Sequence, residues 1–399
     1  MSLLDSLCDE KVWEEFAQYK ASHGNMTKKE QHRLDEYISN KRYLPLARTL
    51  NFSLPEKGFV NKSGSDKKRV IYTFPEDETW VLKLLAWLLY RYDSAFHDSC
   101  YSFRQDMTAK TAVRDVLAVK GLDGKWVLKL DIHDYFNSIP SQRLAEELSA
   151  VITDDPKLLE ALTRFFTLDK AVCGGETVSE NRGAMAGVPL SAFCANIYLA
   201  SLDRMFEQLN VPYFRYSDDI LVLARTKDEA VEYYGLIAGH VADKGLSLNP
   251  EKYSLTAPGE PFEFLGFGYH CGETDLSAST LKKTKAKIKR KAAAIYRRKL
   301  KKGLDGDAAA RAMIKTFNRK FFEVTREHEL SWSRWYFPVL TSDKGLHELD
   351  RYLTQNIRFL YTGRHCKRNY RVTYEHIKSL GYRSLVNEFY RFRDNKSDR

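Results

Sequence analysis

The chain has 399 residues, 43% of them hydrophobic and 29% charged, a balance that excludes general disorder and allows more than one buried core. Its net charge of +10 indicates a polyanionic partner, and nucleic acid is the commonest partner of that kind. No stretch is apolar and long enough to span a bilayer, and the first residues do not resemble a secretory signal, so we expect a cytoplasmic protein without a membrane partner.

The six cysteines are scattered along the chain and form no C-x-x-C pair. Such a distribution is typical of reduced thiols in a reducing compartment. His270-Cys271 and His365-Cys366 have no further ligands at the spacing of a zinc finger or zinc ribbon. The sequence therefore does not predict a zinc site.

The first third of the chain changes composition once. Residues 1 to about 60 are polar and have a helical pattern, which predicts a helical N-terminal extension. From Lys67 to Ala112 the chain is first basic and then aromatic and apolar.

The middle of the chain alternates short apolar strands with amphipathic helices. Residues 126–130 have the pattern of a buried strand that ends on Asp131. A second strand pair, within residues 211–224, places Asp218 and Asp219 at the tip of a hairpin.

A helix and a further strand pair are predicted after the hairpin. Thr226 and Glu229 have the spacing of a capping box, and Gly245 can close the helix that they open. The strands are expected around residues 246–248 and 262–266.

A strongly basic run extends from Lys282 to Lys302. Twelve of its 21 residues are Lys or Arg and none is acidic. The run contains no Pro or Gly and includes three consecutive alanines, so we expect a helix in spite of its self-repulsion. Phosphate groups would relieve that repulsion best.

Asp131, Asp218 and Asp219 are the candidate catalytic residues. Three carboxylates at the ends of adjacent buried strands would repel one another, and divalent cations would remove that cost. Hard oxygen ligands favour Mg²⁺ or Mn²⁺, with substrate phosphates completing the coordination. Two such ions about 4 Å apart would activate a 3′ oxygen and stabilise leaving pyrophosphate. The alternative is a pair of structural turn aspartates, because Asp favours turns.

Five segments resemble the palm motifs of reverse transcriptases, in the order and with the spacing of that family. They are LKLDIHDYFNSIP (128–140), GAMAGVPLSAFCANIYL (183–199), YSDD (216–219), LSLNPEKY (246–253) and FEFLGF (262–267). Two C-terminal segments, WSRWYFPVL and GYRSLVNEFYRF, are most similar to the defence-associated, unknown-group bacterial enzymes.

The resemblance implies two Mg²⁺ ions, with Mn²⁺ as an alternative, and deoxynucleoside triphosphate substrates. The metal-binding residues that it implies are Asp131, Ile132, Asp218 and Asp219. The nucleotide-binding residues that it implies are Lys67, Arg69, Arg104, Phe136, Gly187 and Lys252. Lys67 and Arg69 lie in a basic segment similar to the fingertip that grips the triphosphate, and Arg104 ends a segment similar to S-Y-G-F-R.

Phe136 stands where reverse transcriptases carry an aromatic residue that blocks a ribose 2′-OH. The alternative is core packing, which is common for aromatic residues beside a strand. Lys252 is expected to approach the triphosphate and to donate a proton to pyrophosphate. Three positions depart from the family pattern, since Met185-Ala186 replaces Pro-Gln and Val188 replaces the serine of Ser-Pro. Ala186, in place of the glutamine, puts the template contacts in doubt.

The basic run lies where a thumb helix would track the primer–template backbone, through contacts that carry no sequence information. The nucleic-acid-binding residues that the resemblance implies are Tyr216, Lys282, Lys285, Lys289, Arg290 and Arg297.

The fold class implied is α+β, a right-hand polymerase with an antiparallel palm sheet. Its expected parts are a helical N-terminal extension (1–60), fingers (61–120), a palm with remaining fingers elements (121–270), and a helical thumb with an RNA-contacting region (271–399).

The function implied is RNA-directed DNA polymerisation, with an RNA template as partner and cDNA as product. The sub-family resemblance adds a dedicated structured non-coding RNA and a role in anti-phage defence, and it leaves homo-oligomerisation open. The alternatives are a catalytically silent RNA-binding protein, a template-independent or protein-primed DNA polymerase, and a palm-fold nucleotidyl cyclase. A cyclase would need neither the 183–199 segment nor the basic helix.

Overall fold

The computed structural model describes residues 2–22, 26–61, 68–180, 183–323 and 332–397. These residues form two compact units, Met1–Glu260 and Pro261–Arg399. The boundary that the sequence suggested, at residues 270/271, lies inside the second unit, because the strands that precede it pair with one another in a separate sheet.

The first unit contains eight of the described strands and eleven of the described helices. The strands are β1 Glu56–Asn61, β2 Lys68–Thr73, β3 Trp126–Asp131, β4 Lys170–Cys173, β5 Glu176–Ser179, β6 Tyr213–Tyr216, β7 Asp219–Ala224 and β8 Ser254–Thr256. The helices are α1 Glu10–Ser22, α2 Lys28–Ser39, α3 Leu44–Thr49, α4 Glu76–Leu88, α5 Ala109–Ala118, α6 Tyr135–Ser138, α7 Ser141–Val151, α8 Pro156–Phe166, α9 Ser191–Tyr198, α10 Ala200–Gln208 and α11 Lys227–Asp243.

Two four-stranded sheets organise this unit. The central sheet has the strand order β6-β7-β3-β8, and all its neighbouring strands are antiparallel. The outer sheet has the order β2-β1-β4-β5, in which β1 and β4 make one parallel pair. The mixture of helices with antiparallel sheets confirms the α+β class expected from the sequence.

The central sheet is fixed by an apolar run on β7. Ile220, Leu221, Val222 and Leu223 are all almost completely buried, because α11 packs on β7 and β3. Burial of each such side chain stabilises the fold by about 1.5–3 kcal/mol. Every residue of the run is buried, so the run has no polar face that would by itself set the register. In the observed register Asp131 of β3 lies opposite Asp219 of β7.

One predicted strand in the first unit is wrong. Residues 246–248 contribute only an isolated bridge between Leu248 and Ile132, and the strand beside β3 is β8. The main-chain N–H of Asn249 donates to the carbonyl of Asp131 at 2.7 Å, which ties down the chain directly after the bridge.

The helix predicted after residue 226 is confirmed as α11, but only half of its capping box forms. The hydroxyl of Thr226 accepts a hydrogen bond from the N–H of Glu229 at 3.2 Å. The Glu229 carboxylate accepts instead from the N–H of Arg225, one residue before the cap, at 2.8 Å.

The second unit contains a small sheet with the strand order β11-β10-β9, followed by helices. The strands are β9 Phe262–Phe264, β10 Phe267–His270 and β11 Glu273–Leu276. The helices are α12 Ala278–Lys302, α13 Gly306–Phe322, α14 Trp332–Tyr336, α15 Lys344–Thr362, α16 Tyr374–Ser379 and α17 Leu385–Ser397. None of the described helices in either unit is both long and apolar enough to cross a membrane.

The predicted basic helix is confirmed as α12 and has one buried stripe. It begins after Ser277, whose hydroxyl accepts from the N–H of Thr280 at 3.0 Å, and it ends at Lys302, directly before Gly303. The stripe consists of Thr280, Thr284, Ile288, Ala292 and Ile295. Steps of three and four residues place these side chains on one face, and the helix packs against α13 and α15.

Candidate active site

Strands β3 and β7 bring three aspartates to one end of the central sheet. Asp131 ends β3 and lies opposite Asp219, the first residue of β7. The main-chain N–H of Ile132 donates to the carbonyl of Asp218 at 3.2 Å, so Asp218 also lies beside the end of β3. The turn needs a positive φ of 61° at Ser217, which lets a two-residue connection join β6 to β7.

The electrostatics of Asp218 reflect this crowding. Burial, followed by the negative charges of Asp131 and Asp219, raises the pKa of Asp218 to about 6. A carboxylate in this place is therefore costly near neutral pH unless a cation compensates its charge.

Asn249 and Lys252, which follow the bridge between Leu248 and Ile132, both bind the side chain of Asp131. The amide of Asn249 donates to one carboxylate oxygen at 3.2 Å, and the ammonium of Lys252 forms an ion pair with the other. Burial works against the charge of Lys252, but its hydrogen bond to Asp131 and the charge of that carboxylate raise the pKa of Lys252 above its usual value.

The arrangement fits divalent cations that a substrate helps to bind. The three carboxylates repel one another, and a metal ion would favour the ionised form of Asp218, whose pKa is raised by burial and by this repulsion. Ile132 offers only its main-chain carbonyl as a ligand. Among the described residues no three His, Cys, Asp or Glu side chains already form a metal-binding group, so phosphate oxygens would have to complete the coordination.

A fully buried ion pair supports the hairpin from behind. The guanidinium of Arg215 donates from Nε to Asp203 at 2.7 Å and from Nη2 to the same carboxylate at 2.5 Å. Nη1 of Arg215 also reaches the carbonyl of Ser217 at 3.4 Å. The hydroxyl of Tyr213 adds a bond of 3.0 Å to Asp203. The charge of Arg215 is thus compensated within the core and one of its donors is directed to the turn.

A second buried network reaches the same turn from another segment. The hydroxyl of Ser102 accepts from the N–H of Ser217 at 2.8 Å and donates to the amide oxygen of Asn196 at 3.1 Å. Asn196 returns a bond to the carbonyl of Ser102 at 2.6 Å. Three segments that are far apart in sequence therefore fix the backbone that carries Asp218.

Sequence reasoning did not single out Asp203, Arg215, Ser102, Asn196 or Asn249. The available signal was the charge of Arg215 within an otherwise apolar and aromatic stretch, since a charged residue is almost never buried unless it is paired. No local pattern indicates which partner each one finds.

Tyr135 and Phe136, which begin α6, have different environments. Tyr135 is buried and its hydroxyl donates to the carbonyl of Ala195 at 2.5 Å. Phe136 is only partly buried, and its ring meets the exposed ring of Phe103 edge-on, with centroids 6.1 Å apart. Of Tyr135 and Phe136, therefore, only Phe136 has a ring that is accessible to a ligand.

Gly187 makes room for a strand. A Cβ at this position would lie 2.9 Å from the carbonyl oxygen of Tyr72 on β2, and φ is +102°. The preceding residue, Ala186, accepts from the N–H of Tyr72 at 2.8 Å and donates its own N–H to Asn137 at 2.9 Å. The glycine therefore lets the backbone approach β2 closely, and its contact with a nucleotide stays a prediction.

The nucleotide contact expected of Arg104 is not supported. Its side chain is 9% exposed, and its guanidinium donates to the carboxylate of Asp93 at 3.0 Å and to the carbonyl of His97 at 2.9 Å. The donors of Arg104 are therefore used by the protein itself, where they bind residues 93–97.

The basic fingertip is described only in part. Lys67 lies outside the described residues, whereas Lys68 and Arg69 are exposed at the start of β2. Tyr216, at the end of β6, is mostly buried, and that burial raises its pKa.

The five basic residues singled out on α12 fall into two groups. Four are exposed: Lys282, Lys289, Arg290 and Arg297. Lys285 is half-buried instead, since its ammonium pairs with Glu348 and lies 5.6 Å from the ring of Tyr352 on α15. Lys285 therefore joins two helices within the unit.

An antiparallel sheet whose adjacent strand ends carry three aspartates is the arrangement that the palm motifs of the sequence predict. The sequence model of the family described as "Reverse transcriptase (RNA-dependent DNA polymerase)" matches residues 60–269, more than half of the chain. The chain therefore belongs to the reverse transcriptase family, and these residues are its polymerase domain.

Comparison with other proteins gives more distant likenesses. No curated protein matches the chain. A solved structure of apo telomerase from Candida tropicalis, truncated from the C-terminal domain, is 14% identical, with a TM-score of 0.44 over 57% of this chain and 55% of that chain. The apo telomerase from the same organism is 13% identical, with a TM-score of 0.44 over 83% of this chain and 68% of that chain. The chain thus spans about half the length of the truncated telomerase.

Proposed function

We propose that the protein copies an RNA template into cDNA by two-metal nucleotidyl transfer at Asp131, Asp218 and Asp219. The observation that carries the proposal is the meeting of these carboxylates at one sheet end, where burial and mutual repulsion raise the pKa of Asp218 to about 6. When bound there, two divalent cations would activate the primer 3′ oxygen and stabilise the pyrophosphate leaving group.

The residues around the carboxylates supply positioning and a proton. Asn249 and Lys252 orient Asp131, and the network of Arg215 and Ser102 orients the hairpin. Lys252 stays protonated because Asp131 raises its pKa, so it carries a proton that it can transfer to the leaving pyrophosphate. The partly exposed ring of Phe136 is suited to exclude a 2′ hydroxyl.

We further propose that the template is one dedicated structured non-coding RNA, and that the enzyme acts in anti-phage defence in a bacterial cytoplasm. The support is the similarity of WSRWYFPVL and GYRSLVNEFYRF to the defence-associated enzymes. Phosphate contacts along α12 do not select among RNAs, so selection requires folded loops and unstacked bases that meet aromatic side chains.

The catalytic assignment is tested by replacing Asp218 and Asp219 together with Ala. Nucleotide incorporation on a homopolymer template should fall to background, while the unfolding temperature stays the same or rises slightly because repulsion is removed. Asp228→Ala, at an exposed position on α11, is the matched control and should retain full incorporation. Incorporation by the double variant at the rate of the unmodified enzyme would exclude the assignment.

A further inference from the structure

A basic cleft lies at the C-terminal end of α15 in the second unit. Its volume is about 360 Å³, within the range of small-ligand sites. The residues that line it and matter here are Arg358, His365, Lys367, Asn369 and Tyr370. Neither the candidate active site nor the buried stripe of α12 uses any of them.

The cleft presents an aromatic ring to solvent. Tyr370 is 64% exposed, so its side chain is available for contact with a ligand. The guanidinium of Arg358 lies 5.3 Å from the centre of this ring, and its Nε donates to the carbonyl of Val372 at 2.9 Å. The ring and the cation are thus held together before any ligand arrives.

The loop around the cleft is built by buried polar contacts. Asn369 is 5% exposed; its amide donates to the carbonyl of Arg364 at 2.7 Å and accepts from the hydroxyl of Thr362 at 2.6 Å. The ring of His365 stacks on Phe359 of α15, with centroids 5.1 Å apart. These contacts argue against a freely moving basic loop.

The charge of the segment has one sign. Between residues 355 and 374 the chain has five Arg or Lys residues and no Asp or Glu. An acidic protein partner would compensate the positive charge of the cleft, but it would not need the exposed ring of Tyr370. Every nucleobase offers a flat π surface for stacking, and the backbone of the nucleic acid offers phosphates to the cations.

The cleft is joined to α12 through packed rings and a capping contact. The ring of Tyr296 on α12 lies 5.2 Å from the ring of Phe359. The ammonium of Lys299 donates to the carbonyls of Leu360 at 2.7 Å and Tyr361 at 3.2 Å, at the end of α15. These contacts fix the position of the cleft relative to α12 within the same unit.

We propose that this cleft binds an unpaired nucleobase of the RNA that the enzyme uses, by stacking on Tyr370, with the flanking phosphates on Arg358 and Lys367. The proposal rests on the proposed function, because it names the part of the RNA that the second unit recognises. It would give the enzyme a preference for folded RNA with exposed bases over regular duplex.

The test measures binding of the intact protein to three labelled probes at one salt concentration. They are an RNA hairpin with an unpaired loop, a blunt RNA duplex of equal length, and a single-stranded DNA with the loop sequence. Tyr370→Ala should weaken hairpin binding about 5- to 150-fold, the effect of removing one stacked base, and leave duplex binding unchanged. Tyr370→Phe keeps the ring and should bind like the unmodified protein.

Tyr374→Ala is the matched control, since Tyr374 is an exposed tyrosine outside the cleft whose ring lies 4.9 Å from Lys378. It should leave binding of all three probes unchanged. Equal affinity of Tyr370→Ala and the unmodified protein for the hairpin would overturn the proposal, and so would an equal reduction on hairpin and duplex. A reduction confined to the DNA probe would overturn the choice of RNA and point to the cDNA strand.

Primer extension on a short primer–template separates this proposal from the proposed function. Tyr370→Ala should extend the primer at the normal rate. If the unmodified enzyme fails to extend but its hairpin binding still depends on Tyr370, the catalytic proposal fails and this one stands. If the unmodified enzyme extends the primer normally but Tyr370→Ala does not change hairpin binding, the catalytic proposal stands and the cleft proposal fails.

Discussion

The position of Asp218 and Asp219 depends on residues that do not face the substrate. Arg215, two residues before Ser217 on the same hairpin, is completely buried and is neutralised by Asp203. Removing one member of such a pair leaves an uncompensated charge in the core, which costs more than the pair contributes. This asymmetry gives a prediction about stability as well as activity.

Arg215→Met should lower the free energy of unfolding by about 3–5 kcal/mol, because Asp203 is left without its partner. The double variant with Asp203→Leu should recover most of that stability, yet incorporation should stay low because the turn no longer has this support. Urea unfolding and primer extension provide the two measurements. Arg225→Met, which breaks an exposed pair with Glu229, should unfold at the same urea concentration as the unmodified protein. The same result for Arg215→Met would contradict the role given to the buried pair.

Phe136 is the second residue whose role is open to measurement. Phe136→Ala should raise the use of ribonucleotides relative to deoxynucleotides by about tenfold or more, since a steric contact of this kind discriminates by that order. Competition between dNTP and NTP on one template measures the ratio. Tyr135→Phe, which removes a buried hydroxyl beside it, should reduce stability but leave the ratio unchanged. An unchanged ratio in Phe136→Ala would reduce Phe136 to a packing residue.

Among the elements, α12 combines packing and charge in one helix. Its buried stripe is made of small and β-branched side chains, which lets it pack against α13 and α15. Lys285 and Lys299 are used within the unit, by Glu348 and by the end of α15. The exposed basic residues remain available for phosphates, so the two groups should respond differently to substitution.

Replacing Lys282, Lys289, Arg290 and Arg297 by Gln should weaken RNA binding equally for all sequences. The slope of log affinity against log salt should flatten by about 0.7–0.9 for each phosphate that the protein no longer neutralises. Replacing Lys285 and Lys299 by Gln should lower the unfolding temperature and leave the slope unchanged. A salt slope unaffected by the fourfold substitution would mean that this face of α12 does not bind nucleic acid.

For the molecule as a whole, residues 361–399 contribute buried side chains to the core of the second unit, in addition to any contact with RNA. Ile377, Leu385 and Phe389 are buried, and Asp350 of α15 accepts the N–H of Leu385 at 2.9 Å. Removing residues 361–399 would expose the core of the second unit. Recognition of the RNA is therefore better tested with the full chain and single substitutions.

The full chain, isolated from its own cells, should carry one abundant small RNA. The reason is that the exposed basic residues of α12 bind any RNA, whereas the basic cleft with the ring of Tyr370 would select a folded RNA with unpaired bases. Sequencing of the copurified RNA measures this directly. Recovery of a broad sample of transcripts in proportion to their abundance would contradict a dedicated template.

The sequence by itself determined the family, the α+β class, the strand that ends on Asp131, the acidic hairpin and the basic helix. Each of these depends on residues close together in the chain, where apolar period, turn chemistry and motif order can be read directly. The tertiary structure decided which side chains are free to act. Arg104 and Lys285 appeared available for ligands, but the structure pairs them with Asp93 and Glu348, and it places Gly187 against β2. Such partners are brought together only by folding, because burial and pairing of charges depend on segments distant in sequence.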